Sequence, residues 1–137
     1  MSSLVFVDTS FLAARLNRRD MLHAAAKRLS ADWADTPTRF ITTDAVLLEY
    51  ANHFCASVLR ALCIRSIAVV RAAADWQILP ITGELMARAE KRYAKFADKE
   101  WSLTDCVSME VMVVHRVKDV ATADRHFAQA GFRVLLR

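Results

Sequence analysis

Glycine and proline are scarce, two of each in 137 residues. So little turn-forming material argues against closely spaced hairpins, propeller blades and flexible linkers, and in favour of long helices with short joints. Cysteine is scarce as well: Cys55, Cys63 and Cys106 are odd in number and form no Cys-x-x-Cys pair. Neither a disulfide framework nor a zinc knuckle is suggested, and the three read as buried thiols in a reducing cytoplasm. No apolar run suits a membrane, since Ala61 to Ala74 is broken by Arg65 and Arg71. Leu4-Val5-Phe6-Val7 is too short for a signal-peptide core and has no basic lead. Charge of one sign is lacking too: 19 basic against 15 acidic residues leave +4, which permits an RNA partner without the density of a basic tail. There is no internal repeat. The expectation is one cytoplasmic domain spanning residues 1–137, with no membrane association.

What is present is apolar material, 55% of the chain, ample for a core between packed layers. Short β-favouring runs occur at Leu4 to Val7, Phe40 to Thr42, Trp76 to Leu79, Asp119 to Ala121 and Phe132 to Leu136. Helix-like stretches separate them: Asp20 to Trp33, Asp44 to Ala74 with one break, Gly83 to Ala97, Thr104 to His115, and Ala123 to Ala130. This alternation predicts an α/β domain, a mostly parallel sheet with helices on both faces. Ligands of such sheets sit beyond the carboxyl ends of the strands. Asp8 directly follows the first run and Asp124 follows Val120-Ala121, so two acids leave the same sheet edge.

Each acid also has an ordinary explanation. Asp8, in Val7-Asp8-Thr9-Ser10, could cap a helix, although three polar capping candidates in a row exceed what one cap needs. Glu49 lies among Val46, Leu47, Leu48 and Tyr50, on a helix beginning near Thr43, where a solvated residue is common. Asp105, in Ser102-Leu103-Thr104-Asp105, has capping-box spacing. Asp124 could be a first-turn acid of a helix capped by Thr122 and closed by Gly131.

Taken together, the stretches Val7-Asp8-Thr9-Ser10, the Glu49 helix, Ser102-Leu103-Thr104-Asp105-Cys106-Val107-Ser108 and Thr122-Ala123-Asp124-Arg125-His126-Phe127 running into Ala130-Gly131-Phe132 resemble the PIN-domain family. They are most similar to the toxin ribonucleases of bacterial type II toxin–antitoxin pairs known as VapC. The resemblance extends from Leu4 to Leu136, with Cys106 where a small Ala is common. It implies a PIN-like three-layer sandwich around a five-stranded, mostly parallel sheet, and a metal-dependent endoribonuclease using Mg²⁺ or Mn²⁺. Asp8, Glu49, Asp105 and Asp124 are then the catalytic and metal-binding acids, and Thr9, Ser10 and Thr122 supporting hydroxyls. The implied partners are RNA, tRNA or another structured RNA among them, a cognate antitoxin and a second copy of the chain. A hard divalent cation suits this set, since it prefers oxygen ligands and keeps several waters.

Other readings fit less well. A haloacid-dehalogenase-type phosphatase needs Asp-x-Asp, and Ser10 stands where the second Asp belongs. Gly83 and Gly131 cannot build a Gly-rich phosphate cradle. Zinc ligation by His23, His53, His115 and His126 lacks supporting spacing, although His126, beside Asp124, is placed to meet substrate. Arg15, Arg18, Arg19, Arg125 and Arg133 could meet phosphates, but solvated surface charge explains any one of them. A catalytically inactive PIN-like RNA-binding or scaffold module is the alternative function; loss of an acid would mark it, and all four acids are present.

Overall fold

The computed structural model describes residues 3–137. In chain order its elements are β1 (Ser3–Val7), α1 (Thr9–Leu16), α2 (His23–Ala34), β2 (Thr38–Thr43), α3 (Asp44–His53), α4 (Arg60–Ala72), β3 (Trp76–Leu79), α5 (Gly83–Lys95), α6 (Leu103–Val114), β4 (Asp119–Ala121), α7 (Arg125–Gln129) and β5 (Arg133–Val134). The strands form one sheet in the order β3-β2-β1-β4-β5, and every pairing is parallel. The expected mostly parallel sheet is thus wholly parallel.

β1 is the central strand, covered on both faces, which is why Val5-Phe6-Val7 is apolar without alternation and fully buried. The edge strands β3 and β5 are short and partly exposed, as edges exposed to other chains tend to be. β5 is shorter than its apolar run because the N–H of Phe132 is taken by Phe127 O at 3.0 Å. That bond, with Gly131 N–H to Ala128 O at 3.0 Å and Gly131 at φ 94°, closes α7 in a left-handed turn that suits glycine. α2 begins three residues later than the pattern suggests because the Asp20 carboxylate accepts from Leu22 N–H at 2.8 Å, holding a turn ahead of the helix. The long helical stretch breaks once, between α3 and α4, as expected.

From β1 the chain steps outward to β2 and β3, then returns across β1 to β4 and β5. Right-handed crossovers place α1 to α4 on one face and α5 to α7 on the other. A chain of rings, Phe11–Trp33–Phe40–Trp76, with centroids 5.1, 4.9 and 4.9 Å apart, ties α1 and α2 to the sheet. On α6, Cys106, Val107, Met109, Val111 and Met112 are buried. Cys63 and Cys106 are buried free thiols, whereas Cys55 is exposed, against expectation, because it lies in the loop that breaks α3 from α4. No helix among the described residues is long and apolar enough to cross a membrane. The reversal of strand order at β1 leaves a crevice between the carboxyl ends of β1 and β4, where this class of sheet places its ligands.

Candidate active site

Asp8 extends the β1 ladder by one bond, its N–H donating to Ala121 O at 3.1 Å. The ladder therefore sets Asp8 against the residues that leave β4. Asp8 occupies the N-cap position of α1, yet its carboxylate does not cap that helix. Instead it accepts from the Thr122 hydroxyl at 2.7 Å. Helix capping accordingly does not explain this acid, which is only 6% exposed.

The hydroxyls form a chain whose direction follows from counting protons. Thr122 Oγ1 spends its one proton on Asp8 Oδ2, so at the 2.9 Å contact with Ser10 Oγ the serine donates. Ser10 Oγ in turn accepts from Ala123 N–H at 3.1 Å, and Thr122 Oγ1 accepts from Asp124 N–H at 3.0 Å. Donation thus runs from the backbone after β4, through Ser10 and Thr122, onto Asp8. Thr122 holds the carboxylate directly and Ser10 acts on it through Thr122. Thr9 does not do so through its hydroxyl, which reaches Val46 O on α3 at 3.5 Å; its backbone N–H is what favours the charged Asp8.

Asp105 realises its capping reading, Asp124 is itself a cap where the sequence suggested a first-turn acid, and both join the site. Asp105 completes a capping box at the start of α6: Ser102 Oγ accepts from Asp105 N–H at 3.0 Å and Asp105 Oδ2 accepts from Ser102 N–H at 3.1 Å. Asp124, rather than Thr122, is the N-cap of α7, with Oδ1 accepting from His126 N–H at 2.9 Å. That bond turns the His126 ring inward, so Nδ1 lies 3.3 Å from Asp105 Oδ2 and 3.2 Å from Asp124 Oδ1. Asp105, Asp124 and His126 offer ligand atoms all within 4.8 Å of one another. The sequence pattern missed His126 as part of this cluster; its signal was the Asp-x-His spacing across a helix cap.

Burial pushes the Asp8 carboxyl up to about 7, the Thr122 hydroxyl and Thr9 N–H draw it down, and the negative charges of Asp105 and Glu49 raise it further. Asp105 and Glu49 are therefore within electrostatic reach of Asp8. Glu49 sits on α3, exposed, and it does not belong to the close group of Asp105, Asp124 and His126. Among the described residues, none of the four acids has a Lys or Arg ion-pair partner. Clustered carboxylates with no cationic side chain fit a divalent cation, which supplies the missing charge through oxygen ligands. One turn along α6 from Asp105, the buried hydroxyl of Ser108 has no hydrogen-bond partner. Of the remaining histidines, His23 is engaged at 2.7 Å with Ala14 O and His53 packs on Phe54, so neither joins a metal group. Arg133 forms a two-pronged ion pair with Asp119, at 2.6 and 2.8 Å, and is thereby occupied.

An all-parallel five-stranded sheet with acids gathered beyond the carboxyl ends of β1 and β4 defines an α/β domain with an acidic site. Residues 5–133 match the PIN domain family, and the chain belongs to it. It is 33% identical over 134 residues to the 23S rRNA-specific endonuclease VapC20 of Mycobacterium tuberculosis, a match covering 94% of this chain and 95% of that protein. The crystal structure of M. tuberculosis VapC20, a sarcin-ricin loop cleaving toxin, aligns with a TM-score of 0.83 at 29% identity over 93% of this chain and 95% of that one. VapBC2 from Rickettsia felis, solved bound to a DNA fragment from its promoter, shares the fold, with a TM-score of 0.69 at 8% identity over 96% of each chain.

Proposed function

We propose that this chain is a divalent-metal-dependent endoribonuclease acting on structured RNA, the toxin of a toxin–antitoxin pair. The observation that carries the reading is the convergence of Asp8, Asp105 and Asp124 at one sheet edge with, among the described residues, no Lys or Arg paired to them. Asp8, Asp105 and Asp124 would hold Mg²⁺ or Mn²⁺, with Glu49 reaching in from α3. A bound divalent ion lowers the pKa of its water and offsets charge on the phosphate. The protein's own part is orientation. The Ser10–Thr122 chain fixes the Asp8 carboxylate, the capping box fixes Asp105, and the α7 cap fixes Asp124. His126 spans the last two and keeps their oxygens turned toward a shared point.

The similarity to VapC20 favours ribosomal RNA over tRNA as the substrate, and with it a cytoplasmic location. A nuclease of that kind must be restrained. Exposed apolar side chains at Leu48, Val58, Ile64 and Val69 on and around α3 and α4 support both a cognate antitoxin and a homodimer. The unit doing this is proposed to be the single domain 1–137.

The test is cleavage of 23S rRNA, a sarcin-ricin stem-loop and tRNA, each with Mg²⁺, with Mn²⁺ and with EDTA. Metal-dependent cuts that vanish in Asp124→Asn are expected. Cleavage indifferent to EDTA, or none with either metal, would overturn the proposal.

A further inference from the structure

Helix α5 carries Arg88, Lys91, Arg92 and Lys95 at spacings of three and four, which brings them to neighbouring faces of one helix. They line a groove of about 410 Å³ against α6, together with Phe96 and the single carboxylate of Glu110. Glu110 is fully committed. One oxygen takes Arg88 Nε at 3.2 Å and the other Arg92 Nε at 2.6 Å, a clamp that fastens α5 to α6. Among the described residues Lys91 and Lys95 have no ion-pair partner, and Lys95 is steadied with its Nζ 5.5 Å over the Phe96 ring. The groove thus carries four cations against one anion. α5's own acids, Glu84 and Glu90, do not line it.

α5 and α6 run as a hairpin, so the Lys95 end of α5 lies beside the start of α6. There Phe96 packs on Trp101 at 4.9 Å, and the Trp101 indole donates to Gln129 on α7 at 3.0 Å. A separate hollow of about 550 Å³, lined by Tyr93, Lys99, Glu100, Trp101 and Ser102, opens on the other flank of α5. Ser102 is the residue whose N–H holds the Asp105 carboxylate. Tyr93, 54% exposed, offers an open aromatic face in this hollow, and such faces stack unpaired bases.

We propose that the α5–α6 groove is an RNA-backbone track: Lys91 and Lys95 bind phosphates of the substrate outside the cleaved bond, and Tyr93, on the other flank of α5, stacks a base in the hollow that Ser102 lines. From Arg88 to Lys95 the helix covers about 10 Å, room for more than one phosphate. This rests on the ribonuclease reading for its ligand, and the test separates the two.

A labelled sarcin-ricin stem-loop is titrated in EDTA over a range of salt, reading anisotropy, and then cleaved with Mn²⁺. Lys91→Gln/Lys95→Gln should weaken binding at least about fivefold, lower the slope of log affinity against log salt by about 1.4, as for two phosphate contacts on single-stranded RNA, and raise KM with kcat within twofold. Arg18→Gln/Arg19→Gln removes the same charge at exposed positions beyond the far end of α1 and should leave all three unchanged. Tyr93→Ser should weaken binding without altering the slope. If the lysine pair keeps wild-type affinity and slope, as it would were these lysines meant for an acidic protein partner, the track is wrong. Equal weakening by the arginine pair, or no salt-dependent binding by wild type, overturns it as well. Failure to cleave, with the lysine effect on binding intact, refutes the nuclease reading and leaves the track standing.

Discussion

Asp8 is the residue at which the proposed function most plainly opposes stability. Its carboxyl is buried and raised from 3.8 to about 7, so between those values the folded protein keeps a proton that the unfolded chain has released. Stability of the metal-free protein therefore falls as pH rises through that window, and the loss is complete above it. Asn at this position has no charge to bury and keeps an oxygen for Thr122. Metal-free Asp8→Asn is expected to exceed wild type by about 0.5–2 kcal/mol at pH 8, with the gain shrinking toward zero near pH 4. Urea denaturation in EDTA at both pH values measures this. A variant less stable than wild type at pH 8, or a gain independent of pH, would show that the carboxylate is structural. Asp8 and Asp124 were legible as acids leaving strand ends. The Ser10–Thr122 relay was legible only as residue types, because its hydrogen bonds join positions 112 and 114 residues apart.

At the scale of elements, the same helix end can serve packing and chemistry together. The capping box of α6 satisfies two backbone groups and also sets the Asp105 carboxylate beside His126. Ser102→Ala removes the hydroxyl acceptor but keeps the Ser102 N–H that holds Asp105 Oδ2. It should cost about 1 kcal/mol of stability while leaving Mn²⁺ affinity within about twofold. Thermal melts and calorimetric titration check the pair, and a large loss of metal affinity would mean that the hydroxyl itself orients the acid. Helix ends also show how unevenly sequence announces structure. α6 and α7 close with the same pair of bonds, Val117 N–H to Met112 O and Arg116 N–H to Val113 O in the first case. Gly131 signalled the end of α7; Arg116, at φ 56°, gave no such sign at α6.

For the whole molecule, the sheet order decides where the acids meet. Because the chain returns across β1 to form β4, Asp8 and the Thr122–Asp124 turn become neighbours, while α3 and α6 bring Glu49 and Asp105 toward the same edge. Binding a cation only in the folded state should stabilise the protein by about 2.7 kcal/mol at 100 times its Kd, a Tm rise of roughly 8 °C for a chain of this size. Melts in EDTA and in saturating Mn²⁺ read the effect directly. Asp124→Asn should lose most of the rise; a variant that keeps all of it would remove Asp124 from the metal site.

Residue pattern alone determined that this is an α/β protein with a parallel sheet. Uninterrupted apolar runs such as Val5-Phe6-Val7 are tolerated only where both faces are covered, and scarce glycine and proline exclude hairpins. Position alone also marked Asp8 and Asp124, because strand ends are local features, whereas Glu49 and Asp105 came from the family resemblance. Tertiary structure decided which capping explanations hold: Asp8 gives up its helix for Thr122, whereas Asp105 and Asp124 cap and cluster at once. It also decided that His126 belongs with them, that the Thr9 hydroxyl does not serve the carboxylate, and that Lys91 and Lys95 of α5 share a groove with a single carboxylate. Each of these depends on contacts between segments far apart in the chain, and their distances are set by packing of helices on the sheet, which no local periodicity encodes.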